Sequence, residues 1–354
     1  MLVDIKEGVE ASMRTVEYTR QGEAAQVLTL REERHRPTPG SGEVLVRMLV
    51  RPIHPGDLIG VEGLPGQPEQ QSQARTPGVE GMGVVESVGA NVRAPRLGQR
   101  VAVFPAPGTW SDFVVVPADL AVPVPDGVSD ETAALMLVNP LTLRMLYRAV
   151  EKALRGQAGP VLQTAAGSSV GRLVSAAAAR HDLLINLVRS TSGAEKMRTL
   201  YPSQPVIATC DDDWRAQVRL HAGERGVQVV LDCVGGAMTQ DLAELLADGG
   251  TLICYGHLGS GTTPLEALPL MARALTVRGV SILRWMSRTP MERAQDVAFA
   301  QDLAQSTPDL LEVAASYDLA DFKAAVEHAR RPGKSGTVLL TTPRTAGSGH
   351  GAGR

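Results

Sequence analysis

Aromatic residues make up only 3% of this 354-residue chain, so its core must be built mainly from Val, Leu, Ala and Met. Net charge is also scarce. Thirty-five Lys and Arg stand against 38 Asp and Glu, a formal −3, and nothing in that balance favours nucleic acid or an anionic membrane surface. No apolar run approaches the eighteen or so residues of a membrane span. The opening "MLVDIKEGVEASM" is acidic and lacks the apolar centre of a signal peptide. There are three cysteines, Cys210, Cys233 and Cys254, isolated and in or beside apolar runs, with no CxxC or Cys/His cluster. This spacing argues against a structural zinc site and points to reduced thiols in a cytoplasmic protein.

What is present is a change of pattern along the chain. Up to about Val124, short Val-rich runs such as "EVLVRMLVRPI", "GQRVAVF" and "SDFVVVPADLAVPVP" alternate with Gly and Pro, which predicts a small barrel or sandwich. "SDET" then offers an N-cap, with acids in the first turn of an apolar helix. The Asn139-Pro140 pair is expected to interrupt that helix, with a second one beyond it. From Gly159 strands and helices alternate, predicting a doubly wound parallel sheet. After about Leu311 the character is mixed again: "DFKAAVEHAR" reads as a helix, "GTVLLTT" as a last strand and residues 344–354 as a disordered tail.

The stretch "AGSSVG" (Ala166, Gly167, Ser168, Ser169, Val170, Gly171) falls between a predicted strand and a predicted helix. It has the small-x-small-x-x-Gly spacing of a dinucleotide turn. The first small residue permits the bend, the second lets backbone approach a pyrophosphate, and Gly171 lets helix pack on strand. The next strand ends at Arg189 and Ser190. A carboxylate there would accept the ribose 2′-OH of NADH; Arg189 instead attracts a 2′-phosphate. The cofactor expected is therefore NADPH, unless Arg189 is only a solvated surface cation. Tyr255-Gly256 and Cys233-Val234-Gly235 end later parallel strands, at the edge where ligands bind in such sheets.

Over nearly its full length the sequence resembles the medium-chain dehydrogenase/reductase superfamily, and within it the zinc-free quinone oxidoreductase and 2-enoyl thioester reductase branch. "NPLT" (Asn139 to Thr142), "AAGSSVG", "LDCVGG", "GGTLICYG" and "LTVRGVSILRWM" carry the likeness. The resemblance implies a GroES-like β-barrel domain (1–125, completed by 311–343) and a Rossmann NADPH-binding domain (126–310). It implies a homodimer joined through the nucleotide domains, and an acyl thioester or quinone as the small-molecule substrate. It places Asn139 and Thr142 at the nicotinamide end and Lys334 within reach of the cofactor, although Lys334 also reads as an exposed loop lysine. The superfamily's zinc enzymes carry a Cys-x-x-Asp and a Gly-His-Glu; here those regions read "HPGD" (His54 to Asp57) and "GVE" (Gly78 to Glu80), with Val79 in place of a ligand. No metal is expected.

One departure matters. Enoyl reductases of the branch have a tyrosine shortly after the "HPGD"-like segment, proposed as proton donor. Here its place falls near Leu64 or Pro65, and no tyrosine occurs between Tyr18 and Tyr147. His54 is the expected substitute, as proton donor or oxyanion partner, or else a structural histidine in a turn. Asp57 caps that turn or acts as an acid. Leu64 and Trp285 are candidate walls of the substrate pocket, and Trp285 equally suits a dimer interface. The expected function is NADPH-dependent reduction of an activated C=C, with quinone or reactive-carbonyl reduction as the alternative. A nucleotide-binding interaction module that has lost catalysis is a third reading.

Overall fold

A computed structural model describes residues 12–33, 35–63, 73–178, 183–259 and 261–343; the expected tail at 344–354 lies outside them. The chain opens with a two-stranded antiparallel ribbon, β1 (Met13–Glu17) and β2 (Thr29–Glu33), joined through the short α1 (Ala24–Val27). Then come β3 (Glu43–Pro52), α2 (Pro55–Glu62), β4 (Gly81–Val88), β5 (Arg100–Val103), β6 (Phe113–Pro117) and β7 (Ala121–Pro123). Helix α3 (Asp130–Ala134) starts where the sequence places it, with Ser129 Oγ accepting from Thr132 N. Two helices are present as expected, but the break falls at residues 135–137 and not at Pro140. Pro140 sits in the first turn of α4 (Val138–Leu154), where its missing N–H costs nothing because that donor has no partner inside the helix.

Alternation then sets in: β8 (Val161–Gln163), α5 (Ser169–Ala178), β9 (Leu184–Val188), α6 (Thr191–Leu200), β10 (Val206–Ala208), α7 (Trp214–Ala222), β11 (Val227–Asp232), α8 (Met238–Leu245), β12 (Leu246–Cys254), α9 (Ala267–Ala272) and β13 (Thr276–Gly279). These six strands pair in parallel in the order β10-β9-β8-β11-β12-β13. Strands β8, β9 and β10 are buried along their whole length, as expected of a parallel sheet covered on both faces. The strand order reverses direction between β8 and β11, which opens a crevice at their carboxyl ends.

Helix α10 (Pro290–Ser306) leads to β14 (Val313–Asp318), α11 (Phe322–Ala329) and β15 (Thr337–Thr341). Strand β15 runs parallel to β14 and antiparallel to the second half of β3, so the C-terminus completes the sheet begun by β3. Strand β6 takes the first half of β3. One apolar cluster runs through both sheets, from Leu49, Met82 and Phe104 through Leu137 and Leu141 to Leu231, Ile253 and Trp285. The two halves therefore share a continuous core.

Candidate active site and cofactor seat

The loop after β8 is built for close approach. Ala165 adopts a left-handed φ of 46°, and Ala166 is fully buried, its N–H on Leu187 O at 2.9 Å. Ser168 Oγ accepts from Gly171 N at 3.1 Å, closing the first turn of α5. A Cβ on Gly171 would stand 2.6 Å from Ala165 O and 2.7 Å from Ala166 O, whereas one on Gly167 would meet nothing within 4 Å. Gly171 thus brings helix and strand together, and Gly167 faces open space before the N–H groups of α5. Val170 is half-buried. Ser169 Oγ pairs instead with Thr337 Oγ1 of β15 at 3.1 Å. One turn on, Arg172 pairs with Glu312, which also accepts from Ser335 Oγ at 2.6 Å. The Gly167–Gly171 turn is therefore braced by the C-terminal segment.

Across the crevice, buried Asp232 at the end of β11 accepts from Thr164 Oγ1 (3.0 Å), Val234 N (2.9 Å), Gly235 N (3.3 Å) and Thr239 Oγ1 (2.8 Å). This one carboxylate ties the Cys233-Val234-Gly235 loop to the loop after β8. Burial pushes the Cys233 thiol up to about 11, so it is a packing group and not a nucleophile. Gly256 packs so tightly that an added Cβ would lie 3.0 Å from Cys233 O. Tyr255 places its N–H on Asp232 O at 2.8 Å, and burial holds its phenol well above the usual range.

At the end of β9, Arg189 is exposed and makes no ion pair or hydrogen bond among the described residues. Ser190 is committed as the N-cap of α6, accepting from Gly193 N at 3.2 Å. Its hydroxyl also pairs with Ser192 at 3.2 Å.

The other wall is α2. His54 is its N-cap, and the His54 N–H donates to Asp57 Oδ2 at 2.8 Å. The imidazole Nε2 lies 2.6 Å from Glu80 Oε2. Glu80 Oε1 accepts from Leu137 N (2.8 Å) and Val138 N (2.7 Å), at the start of α4. Burial works against a charge on His54, but the hydrogen bond and charge of Glu80, helped by Asp57, outweigh it and raise its pKa; Lys334 opposes them. Burial moves Asp57 from 3.8 to about 6. In the first turns of α4, Asn139 is 7% exposed and makes no side-chain hydrogen bond among the described residues. Thr142 Oγ1 is turned back onto Val138 O at 2.7 Å.

Between α2 and the segment after β12 lies a cleft of about 440 Å³, lined by Pro55, Leu58, His257, Gly259, Arg330 and Lys334 among others. Lys334 is half-buried, with Nζ on Gly336 O at 2.9 Å, and desolvation lowers its pKa. Leu64 lies outside the described residues. Trp285 does not line this cleft. It is 3% exposed, packs on Phe104 and donates its indole N–H to Asp296 Oδ2 at 3.1 Å. Asp296 is wholly buried and also takes Arg148 through both oxygens, at 2.9 and 2.5 Å.

The family described as alcohol dehydrogenase GroES-like domain matches residues 40–126, and that described as zinc-binding dehydrogenase matches residues 170–300. The mitochondrial enoyl-[acyl-carrier-protein] reductase of Homo sapiens is 28% identical over 338 residues, covering 94% of this chain and 89% of its own. A Bacillus thuringiensis structure described as an NADPH:quinone reductase superposes with a TM-score of 0.82 at 29% identity, over 94% of this chain and 99% of that one. The chain belongs to the medium-chain dehydrogenase/reductase superfamily. Another of its solved members, a mycobacterial protein complexed with NADPH, has a TM-score of 0.79 at 28% identity, over 94% of this chain and all of its own. The superfamily's layout explains the two sheets: a GroES-like domain against a Rossmann-like one, with the cleft between them.

Among the described residues, no three His, Cys, Asp or Glu side chains are grouped so as to hold a metal ion. No described helix is long and apolar enough to cross a membrane. Two site residues escape a reading of the sequence. Glu80 appears there only as the remnant of a zinc motif, and Asp232 only as a letter in "LDCVGG".

Proposed function

We propose that this protein is an NADPH-dependent, zinc-independent reductase that delivers hydride to an activated C=C, with a 2-enoyl thioester as substrate. The observation that carries the proposal is the cleft between the two sheets, which α2 and Lys334 line on one side and residues 257–259 after β12 on the other, with the Gly167–Gly171 turn tied through Ser169 to Thr337 of the strand that follows Lys334. The residues suit the cofactor: Gly167 has open space before it, the α5 N–H groups face anions favourably, and exposed Arg189 is free for a 2′-phosphate. Bound NADPH would supply the hydride. Asn139 and Thr142 would face the nicotinamide end, and Lys334 would lie beside the cleft. The enolate formed by hydride addition at Cβ needs a hydrogen-bond donor and then a proton at Cα. His54 is not free to offer either: its side chain accepts from the Asp57 backbone N–H, and its Nε2 is held by Glu80.

Zinc does not suit the same residues. A catalytic zinc takes three protein ligands; Val79 offers no donor, and Glu80 is already spent on His54 and two backbone N–H groups.

A quinone is the second reading. A quinone's reduced anion is delocalised and needs only a weak donor, and the chain has no tyrosine between Tyr18 and Tyr147. Steady-state reduction of crotonyl-CoA and of a small quinone, each with NADPH, separates the two. Calorimetry then decides the third: tight NADPH binding with no turnover of any enone, quinone or aldehyde would mark a binding module, and no binding of either reduced nucleotide would end the redox reading.

For the homodimer, the supporting feature is the free edge of the parallel sheet. All four residues of β13 are exposed, beside exposed Leu268, Met271 and Leu283. Sedimentation of Val277→Lys against the unaltered protein tests that edge, and an unchanged dimer mass would place the contact elsewhere.

A further inference from the structure

The reduction proposed above needs a proton at Cα, the tyrosine of the resembling enzymes is absent, and the His54 ring is committed to Asp57 N and Glu80 Oε2. Resting on that reading, we infer that His257 is the catalytic acid, its imidazole delivering the proton to Cα from the loop that leaves β12.

The proton must come from a side chain that faces the cleft. Those on its lining with ionisable groups are Glu62, His257, Arg330 and Lys334. Glu62 and Arg330 pair with each other, and Glu62 also accepts from Ala24 N at 3.3 Å. A guanidinium, besides, does not release its proton. Lys334 donates Nζ to Gly336 O, and as a compact cation it suits an oxyanion or a phosphate. His257 is half-buried, and its ring makes no hydrogen bond or ion pair among the described residues. Imidazole is also the side chain that gains and loses a proton near neutral pH.

The backbone around His257 fixes its place. Gly256 packs against Cys233, Leu258 N is on Cys233 O at 2.9 Å, and Gly259 N is on Val234 O at 2.7 Å. A Cβ on Gly235 would stand 2.7 Å from His257 Nδ1, so the ring lies directly over that glycine. Gly235 N is in turn on Asp232. The imidazole is thus seated at the carboxyl end of β11, beside the reversal point of the parallel sheet, and on the wall of the cleft opposite α2. Ligands of such sheets bind at that edge. A ring held through its main chain, with its nitrogens unbonded, is what a positioned acid requires.

Atoms and electrons balance in this step. Hydride arriving at Cβ makes a C–H bond, and the C=C electron pair moves onto the thioester as an enolate. An N–H bond of the His257 imidazolium then breaks, its electron pair stays on nitrogen, and the enolate pair forms the Cα–H bond. The imidazole is left neutral, and water entering the cleft restores its proton. A quinone makes no such demand, because its reduced anion is delocalised and takes its proton from water. A His257 that served only to pack on Gly235 would affect both acceptors alike.

His257→Gln tests the inference, because glutamine keeps a polar side chain and lacks the acid. With NADPH and crotonyl-CoA at pH 7, kcat is expected to fall about 100-fold or more. NADPH Kd, read by fluorescence titration, should hold, and so should the rate with a small quinone. In His257→Ala, added imidazole is expected to restore crotonyl-CoA turnover and to leave the parent protein unaffected. An unchanged kcat in His257→Gln overturns the inference. A loss shared equally by thioester and quinone overturns it too, as does a loss that appears only as weaker NADPH binding, since the ring would then be a packing or cofactor contact. If His257→Gln fails to fold, His257→Ala with and without imidazole reads the same step, and turnover that is lost and not restored counts against the ring as acid. Failure of the parent protein to reduce any thioester would instead sink the proposed function, and this role with it; a loss confined to the variants cannot be mistaken for that result.

Discussion

Replacing Gly171 and Gly167 one at a time separates the folding of the turn after β8 from its proposed use in binding a dinucleotide. In Gly171→Ala the new methyl stands 2.6 Å from Ala165 O, 2.7 Å from Ala166 O and 2.8 Å from Ala166 Cα. All three are backbone atoms and cannot rotate away. Ordinary carbon contacts lie near 3.5–4.0 Å, so the first turn of α5 must retreat by roughly 1 Å. It is held from both sides. Gly171 N is on Ser168 Oγ, and Gly171 O accepts at 3.0 Å from Gln163 Nε2. That amide is buried and also engages Ser175 Oγ and Asn186 Oδ1. Overpacking of this kind costs about 1–3 kcal/mol, which on the scale of the parallel-sheet domain lowers Tm by roughly 3–10 °C. Gly167→Ala meets nothing within 4 Å, so the free protein should melt as before. Its methyl would nevertheless occupy the ground a pyrophosphate needs, and NADPH Kd should rise about tenfold or more, about 1.4 kcal/mol. Calorimetric melting and fluorescence titration with NADPH read the two effects. Gly167→Ala with unchanged Kd would mean that no pyrophosphate lies on this turn, and an unchanged Tm in Gly171→Ala would refute the packing argument.

Other outcomes follow from the same geometry. Arg189→Ala removes an exposed, unpaired cation; a charge-assisted bond is worth about 1.5–3 kcal/mol, and exposure favours the low end. The KM for NADPH should therefore rise roughly tenfold while that for NADH stays level, and equal effects on both would refute the 2′-phosphate assignment. Asp57 keeps its proton longer in the folded state, to about 6 from 3.8; its contribution to stability is thus fully present below 3.8 and lost as pH rises through about 6. Asp57→Asn should remove up to roughly 3 kcal/mol of that slope, read by urea unfolding between pH 4 and 7, and a parent-minus-variant difference constant with pH would contradict it. Asp296→Ala strands the Arg148 guanidinium and the Trp285 indole N–H together; a loss of about 3–5 kcal/mol in urea unfolding is expected, and a loss under about 1 kcal/mol would show the pair to be solvated.

The parallel sheet was legible because β8 to β11 are short apolar runs, and each of these four is followed by a helix with buried residues, such as Leu173, Val174 and Ala178 of α5. The turn at 166–171 was legible because its glycine requirement is local. The pairings that make the site are not. His54 meets Glu80 26 residues on, and Glu80 meets α4 57 residues further along the chain; no periodicity encodes a contact between a turn, a loop and a helix end. Trp285 reads as a pocket wall from its motif, yet Asp296, 11 positions on, satisfies its indole N–H within the core. Ser169 reads as part of the cofactor-binding turn, and only the return of β15 reveals Thr337 as its partner. Asn139-Pro140 misleads for a simpler reason: proline marks a break inside a helix and a beginning at its first turn, and the sequence does not say which turn it occupies.

The position of β15 also dictates an order of events during synthesis. The six parallel strands lie within residues 161–279 and can pair as soon as that stretch has left the ribosome. The second half of β3, by contrast, waits from residue 52 until Thr337–Thr341 emerges. Throughout that interval the nascent chain carries an unpaired strand edge, the kind of surface on which chaperones and aggregation compete. A message cut short before codon 337 would yield a parallel-sheet domain without its brace and a neighbour with an open seam.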